Sequence, residues 1–413
     1  MGKIYANAEQ VLISLSSGSS PAGGLEWLST DIPVNMLYQN EEKHSDGDTL
    51  VEKLLSSGEF EFTPSTKTLI HDYFANMSRK RDSHRTWNAF AVTVLQSPWW
   101  SRAWIRQEVI LSNEAHFMAT FERMHWKGVF LAIRAITLEL ADCHKHSSGG
   151  DSGGCAYDNC FLCRKYLGLE AFRASWLLIL KAERKEYPEH SCLMNYLGDA
   201  YLLAASDPRD LIYAHLGLSD NDFGIRPDYS ENNSIEDVLV ELSRKVYDHY
   251  GSLTTLNHAL VRRGRKDILP SWVTDWRHEP NGFRVPQKPS DPISDSLFPS
   301  IAICYRDKTL RMRGSFRGTL QSLVEDACSQ LTFRTTEGVN MVPWGDARIG
   351  DEVWMMYDAD NLHIFRRHGR YHELVAAAYN PKNKVLLEIL ALKDEVIALT
   401  EADDPSIQEI EIC

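Results

Sequence analysis

The sequence predicts an α/β layer at the N-terminus, a helical region in the middle and a β-rich domain at the C-terminus. Three observations lead there. Val11-Leu12-Ile13-Ser14-Leu15 is a short apolar run closed by Ser16-Ser17-Gly18-Ser19-Ser20-Pro21, which reads as a buried strand entering a loop. Helix-start signals and helical spacing of apolar residues recur between 166 and 280. From 301 onward, short apolar or alternating runs are separated by Asp, Asn and Gly, the pattern of strands and turns.

The chain opens on a helix, with Ile4, Ala8 and Val11 at helical spacing ahead of the strand. An α/β layer ordinarily has a neighbouring strand before such a helix, so the sequence is expected to start inside a domain, spanning 1–141 and N-terminally incomplete. Residues 20–95 read as a long insertion with helices near 49–55 and 66–76.

Ser97-Pro98-Trp99-Trp100-Ser101-Arg102-Ala103-Trp104-Ile105-Arg106-Gln107-Glu108 follows. Ser97 can cap a helix and Pro98 suits its first turn. A helix starting there puts Trp100, Trp104, Glu108 and Leu111 on one face. A carboxylate on an apolar face is costly unless paired or bound. Neither Arg102 nor Arg106 lies three or four residues from Glu108, so its partner must come from elsewhere. Glu108 is therefore either a chemically active acid or a buried acid tied to a distant arginine. Trp99, Trp100 and Trp104 either stack on a ligand or pack a core. Arg102 and Arg106 are either structural or solvated, or they hold phosphate.

Residues 114–120 form an expected strand, and Trp126 to Ala141 an expected helix with Val129, Ile133, Ile136 and Leu140 as its buried stripe. Residues 142–165 are rich in Cys, His and Gly. Cys160-Phe161-Leu162-Cys163 is a good zinc half-site, but Cys143 with His144 or His146, and Cys155, lack a standard spacing for the other half. Zinc stays a candidate, a thiol-rich flexible loop is the alternative, and no metal ligand is assigned. In the 166–280 region, helices are expected at 167–185 and 192–205. Ser206-Asp207-Pro208-Arg209-Asp210 signals a short helix ending at Gly217, and Ser234 opens another with Val238, Leu242 and Val246 on one face. Pro280, Pro286, Pro289, Pro292 and Pro299 mark a linker at about 281–300. In 301–413, Asp307-Lys308 turns a hairpin, and strands are expected at 351–357, 362–367, 371–379, 386–392 and 395–399.

The chain has 413 residues and a formal net charge of -13, which disfavours nucleic acid, since phosphate neutralisation needs a basic footprint. No run approaches the roughly 18 apolar residues of a membrane span, and no export signal is evident. Eight cysteines spread over this length then read as reduced thiols, and the expected location is the cytoplasm. No Gly-x-Ser-x-Gly elbow or P-loop appears.

Taken in order, Ile4-Tyr5 to Leu15, Pro98 to Glu108, Ser206 to Leu218, Pro227-Asp228-Tyr229-Ser230, Leu269 to Trp276, and Gly350-Asp351-Glu352-Val353-Trp354 with Phe365-Arg366-Arg367 resemble the motifs of fungal heterokaryon-incompatibility (HET) domain proteins. Two motifs at the family's N-terminus, one rich in Tyr, Ser and Trp-Gly and one with an Ile-Asp…Cys-Ile-Asn-Gln run, have no counterpart. The resemblance implies a doubly wound, flavodoxin-like layer distantly similar to Toll/interleukin-1-receptor (TIR) domains. It implies an effector of non-self recognition leading to programmed cell death, with other incompatibility or NLR-like proteins as partners, or copies of itself. Some TIR domains cleave NAD using a glutamate four residues after a Trp. That spacing is met by Trp104 and Glu108. The resemblance therefore implies Glu108 as the catalytic carboxylate, Trp100, Arg102 and Trp104 as the residues holding NAD as substrate, and no certain cofactor. The alternative is a non-catalytic assembly or binding module.

Overall fold

A computed structural model describes residues 2–15, 25–28, 62, 64–77, 87–119, 122–147, 173–174, 176–181, 184, 193–219, 221, 223–250, 256–261, 269–279, 304–306, 309–325, 331–338, 340–356, 362–379 and 407–413. The chain forms two compact units. One comprises Met1–Tyr196 with Leu203–Asn221, the other Leu197–Leu202 with Asp222–Cys413. Helices and sheets are mixed in the first, and the C-terminal part of the second is β-rich.

In the first unit, helix α1 (Gly2–Asn7) leads into β1 (Val11–Ser14). β1 pairs in parallel with β2 (Ala115–Ala119), in the register Val11↔Ala115 and Ile13↔Phe117. β2 pairs antiparallel with β3 (Glu122–His125). A parallel pair requires a crossover. Here it carries α2 (Pro64–Met77), a helical segment ending in the wide turn Ala91–Leu95, and α3 (Ile105–Ile110). β1 was expected to be buried throughout. Only one face is, with Ile13 at 1% exposure and Leu12 at 52%. Its side chains alternate sides, and only the face toward the helices is covered.

Helix α4 (Trp126–Ser147) packs on β2, β3 and α2, with Val129, Ile133 and Ile136 fully buried. It continues six residues past the expected Ala141, through Cys143, His144 and His146. Cys155, Cys160 and Cys163, and the expected helix at 49–55, lie outside the described residues. The core of this unit is aromatic. Trp27 meets Trp87 and Phe90 at centroid distances of 4.8 and 4.7 Å, and Trp99 and Trp100 meet Phe117 at 5.8 and 5.3 Å. Helix α5 (Asp210–Leu216) completes the unit. The Ser206-Asp207-Pro208 signal leads into it: the Asp207 carboxylate accepts from the Arg209 backbone N–H at 2.9 Å, as a cap does, and from the Arg209 guanidinium at 2.7 Å.

In the second unit, α6 (Ile235–Tyr250) starts with a reciprocal cap. The Asp237 N–H donates to Ser234 Oγ at 3.2 Å, and Ser234 Oγ donates to the Asp237 carboxylate at 2.7 Å. Val238, Leu242 and Val246 are buried as expected. Helix α7 (Leu256–Val261) packs on the sheet that follows. The strands are β4 (Cys304–Arg306), β5 (Thr309–Glu325), β6 (Leu331–Thr335), β7 (Asn340–Gly345), β8 (Glu352–Met356), β9 (Leu362–His368), β10 (Tyr371–Tyr379) and β11 (Ile407–Ile412). β4 and β5 form the expected hairpin. The pairings close on themselves, running β5–β8–β9–β10–β7–β6 and back to β5. Closure leaves those strands no free edge. Gly345 has φ 124° opposite a bulge at Leu374/Ala376, and a Cβ there would lie 2.4 Å from the Val375 carbonyl. Only glycine permits that approach. β11 was not anticipated. It pairs with both β5 and β10, and the expected strands at 386–392 and 395–399 lie outside the described residues.

Candidate functional site

The Trp-rich stretch is not one helix. Ser97 does cap, accepting from the Trp99 N–H at 3.3 Å, and a single 3-10 turn covers Pro98–Ser101. The chain then extends at Arg102, with φ -76° and ψ 133°. Two backbone hydrogen bonds cause the break. Ala103 donates to the Ala204 carbonyl at 3.1 Å, and the Ala204 N–H donates to Ser101 at 2.5 Å. Those bonds replace the intrahelical ones that a continuous helix would need. Helix α3 restarts after Trp104.

This corrects the expected single face. Trp99 and Trp100 lie in the core at 8% and 4% exposure, and the Trp100 indole N–H is committed to the Val94 carbonyl at 2.5 Å. Arg102 is exposed, and Trp104 and Glu108 are half-buried. Of the residues expected to act together, Arg102, Trp104 and Glu108 reach solvent from one short stretch, whereas Trp100 points into the core. The acid is therefore not on a dry aromatic face.

Helix α1 packs against α3, and its Tyr5 is close enough to Glu108 to feel that carboxylate electrostatically. Partial burial raises the Tyr5 pKa above its ordinary value, the negative charge of Glu108 raises it further, and the positive charge of Arg102 opposes them. α1 is fastened at its other end, where Asn113 Nδ2 donates to the Ala6 carbonyl at 3.2 Å. Sequence spacing could not reveal Tyr5, because the two helices are separated by the whole crossover.

The opposite face of α3 is polar yet buried. Arg106 and Gln107 are each 3% exposed, and His215 of α5 is fully buried. Gln107 Nε2 donates to the Ala214 carbonyl at 3.0 Å, and it reaches there because Gly217 has no side chain; a Cβ would lie 2.9 Å from that nitrogen. The His215 ring bonds the Leu211 carbonyl through Nδ1 at 2.7 Å, so Nδ1 carries the proton of the neutral ring. Burial, reinforced by the nearby Arg106 charge, lowers its pKa to about 3. The last turn of α3 is closed by Lys181, whose ammonium donates to the Val109 carbonyl at 2.9 Å and also bonds the Ser112 carbonyl. This seam fixes α3 in place, so the direction in which Glu108 points is set by packing.

Other ion pairs are structural. Asp275, from the Leu269–Trp276 stretch, is clasped by Arg277 through Nε and Nη2, each at 2.8 Å, and Arg277 also reaches Glu236 at 2.8 Å. Asp351 is held by Arg366 through two bonds of 3.0 Å. Among the described residues, no group of three or more His, Cys, Asp or Glu could hold a metal ion.

Residues 1–108 match the family model for the heterokaryon incompatibility protein (HET). The HET match runs from α1 to Glu108 and takes in both Tyr5 and the Trp-rich stretch. The later stretches that resemble the family, from Ser206 onward, lie outside it. No curated protein and no solved structure matches the chain. Among the described residues, no helix is long and apolar enough to cross a membrane.

Proposed function

We propose that this chain is a cytoplasmic effector of fungal non-self recognition whose activation leads to programmed cell death. It would act with other incompatibility or NLR-like proteins or with further copies of itself. The observation that carries this reading is the HET match over residues 1–108. Controlled expression in fungal cells tests it. Growth should fall on induction of the wild-type chain, and unchanged growth would overturn the reading.

A specific observation favours a chemical basis for that effect. Glu108 is a half-buried carboxylate, and both it and the exposed Arg102 are close enough to Tyr5 to be felt there electrostatically. This arrangement supports a TIR-like NAD glycohydrolase. When the nicotinamide glycosidic bond breaks, its electron pair leaves with nicotinamide, and the ribose becomes oxocarbenium-like. A carboxylate stabilises that cation and orients the ribose hydroxyls. Water then adds to the ribose carbon and releases a proton to solvent. Arg102 suits the diphosphate, and Trp104 offers an accessible ring for stacking. Trp100 supports the site from the core.

A further inference from the structure

We infer that the backbone of Ala204 positions Arg102, and through Arg102 sets a preference for a nicotinamide nucleotide with a diphosphate over the bare nicotinamide nucleoside. This deepens the glycohydrolase reading and rests on it. The geometry is a clasp between two stretches far apart in the chain. Arg102 and Ala204 form a parallel β-bridge outside the named strands. It is closed on both sides of Arg102. The Ala204 N–H donates to the Ser101 carbonyl at 2.5 Å, and the Ala103 N–H donates to the Ala204 carbonyl at 3.1 Å. Between these two bonds Arg102 is held in extended backbone, with φ -76° and ψ 133°. Ala103 is 2% exposed, whereas Arg102 and Ala204 are both exposed. The clasp therefore roots the backbone and leaves the guanidinium in solvent.

The clasp works against the local sequence. Ser97 caps and Pro98 sits in the first turn, which favours a helix running on through Arg102. In such a helix Arg102 would lie about 160° round the axis from Trp104 and about 120° from Glu108. The guanidinium would then leave the side on which that ring and that carboxylate reach solvent. Extended backbone at Arg102 uncouples its direction from α3. A conflict between local preference and final structure is expected where function imposes the geometry. Ala204 can hold Arg102 because its own segment is fixed. The chain runs from Ala204 through the Asp207–Arg209 contact into α5, and α5 is bonded to α3 where Gln107 Nε2 donates to the Ala214 carbonyl at 3.0 Å. The planar fork of an arginine gives paired, charge-assisted bonds to phosphate oxygens. Nicotinamide riboside has no phosphate to accept them.

The test uses the full chain with two substrates, NAD and nicotinamide riboside. Ala204→Pro removes the N–H that closes the clasp on Ser101. It should raise KM for NAD about tenfold with kcat within about twofold, and leave kcat/KM for nicotinamide riboside unchanged. Arg102→Ala should show the same pattern, and the double variant should be no worse than Arg102→Ala alone, because both changes remove one effect. Ala204→Gly keeps both bonds and loosens the segment, and it serves if proline prevents folding; its loss should be about threefold and again confined to NAD. Equal losses on both substrates, or additive losses in the double variant, would overturn the inference and leave the glycohydrolase reading standing. If the wild type cleaves neither substrate, that reading fails, and calorimetric titration with inorganic pyrophosphate decides the clasp by itself. The wild type should then bind pyrophosphate about tenfold more tightly than Ala204→Pro or Arg102→Ala, and equal binding by all three would overturn the inference.

Discussion

Asp275 and Glu108 both lie in tryptophan-bearing stretches, and the chain treats them in opposite ways. Asp275 is 2% exposed, and a guanidinium grips both of its oxygens, with the Arg277 backbone N–H adding a third bond at 3.1 Å. Burying such a carboxylate is tolerable only because its charge and lone pairs are met. Glu108 is half-buried and reaches solvent. The difference separates an acid that holds a fold together from the one proposed above to serve chemistry.

Mutation is the most forceful way to break that comparison. Asp275→Ala removes three of the bonds made by Arg277 and leaves it Glu236 as its carboxylate partner, and should cost about 3 kcal/mol in urea unfolding. Glu108→Ala should stay within about 1 kcal/mol, as expected of a half-exposed side chain. Equal losses would erase the distinction.

Acid should reveal the buried seam beneath Glu108. His215 is neutral in the folded chain with a pKa of about 3, below its ordinary value of 6.5. Because the unfolded chain takes up the proton first, the His215 contribution is fully present above pH 6.5 and is lost as pH falls toward 3. The slope should approach 1.4 kcal/mol per pH unit. His215→Leu should flatten that part of the urea-midpoint profile. A parallel profile would mean that the ring is not buried in its neutral form.

A smaller effect is expected at Gly217. Alanine there would displace Gln107 from the Ala214 carbonyl and cost about 1 kcal/mol, since one hydrogen bond is lost and a flexible side chain can yield. Double-mutant coupling of Gly217→Ala with Gln107→Ala measures it. Additivity would show that the close approach is not what makes Gly217 costly to replace.

What was legible in the sequence depended on how locally it was encoded. Val129, Ile133 and Ile136 of the α4 stripe, the capped start of α6 and the β4–β5 hairpin follow from periodicity and turn chemistry, and the structure has them; the Leu140 side chain lies outside what is described. The break at Arg102 was not legible, because it is made by backbone bonds to Ala204, a hundred residues away in the chain. The same distance hid Tyr5 from Glu108 and Gln107 from Gly217. Leu12 misled because a β-branched apolar run reads as buried on both faces, whereas β1 has one face open. Glu108 itself could be singled out from spacing, but the face it occupies could not. That depended on where the helix restarted.

The most direct measurement is nicotinamide release from NAD by purified chain, compared between wild type and Glu108→Ala at matched folded concentration. The structure-based account predicts release by wild type and its loss in Glu108→Ala, with both proteins equally stable to urea. Equal release from the two would contradict the claim that Glu108 is the acid kept for chemistry.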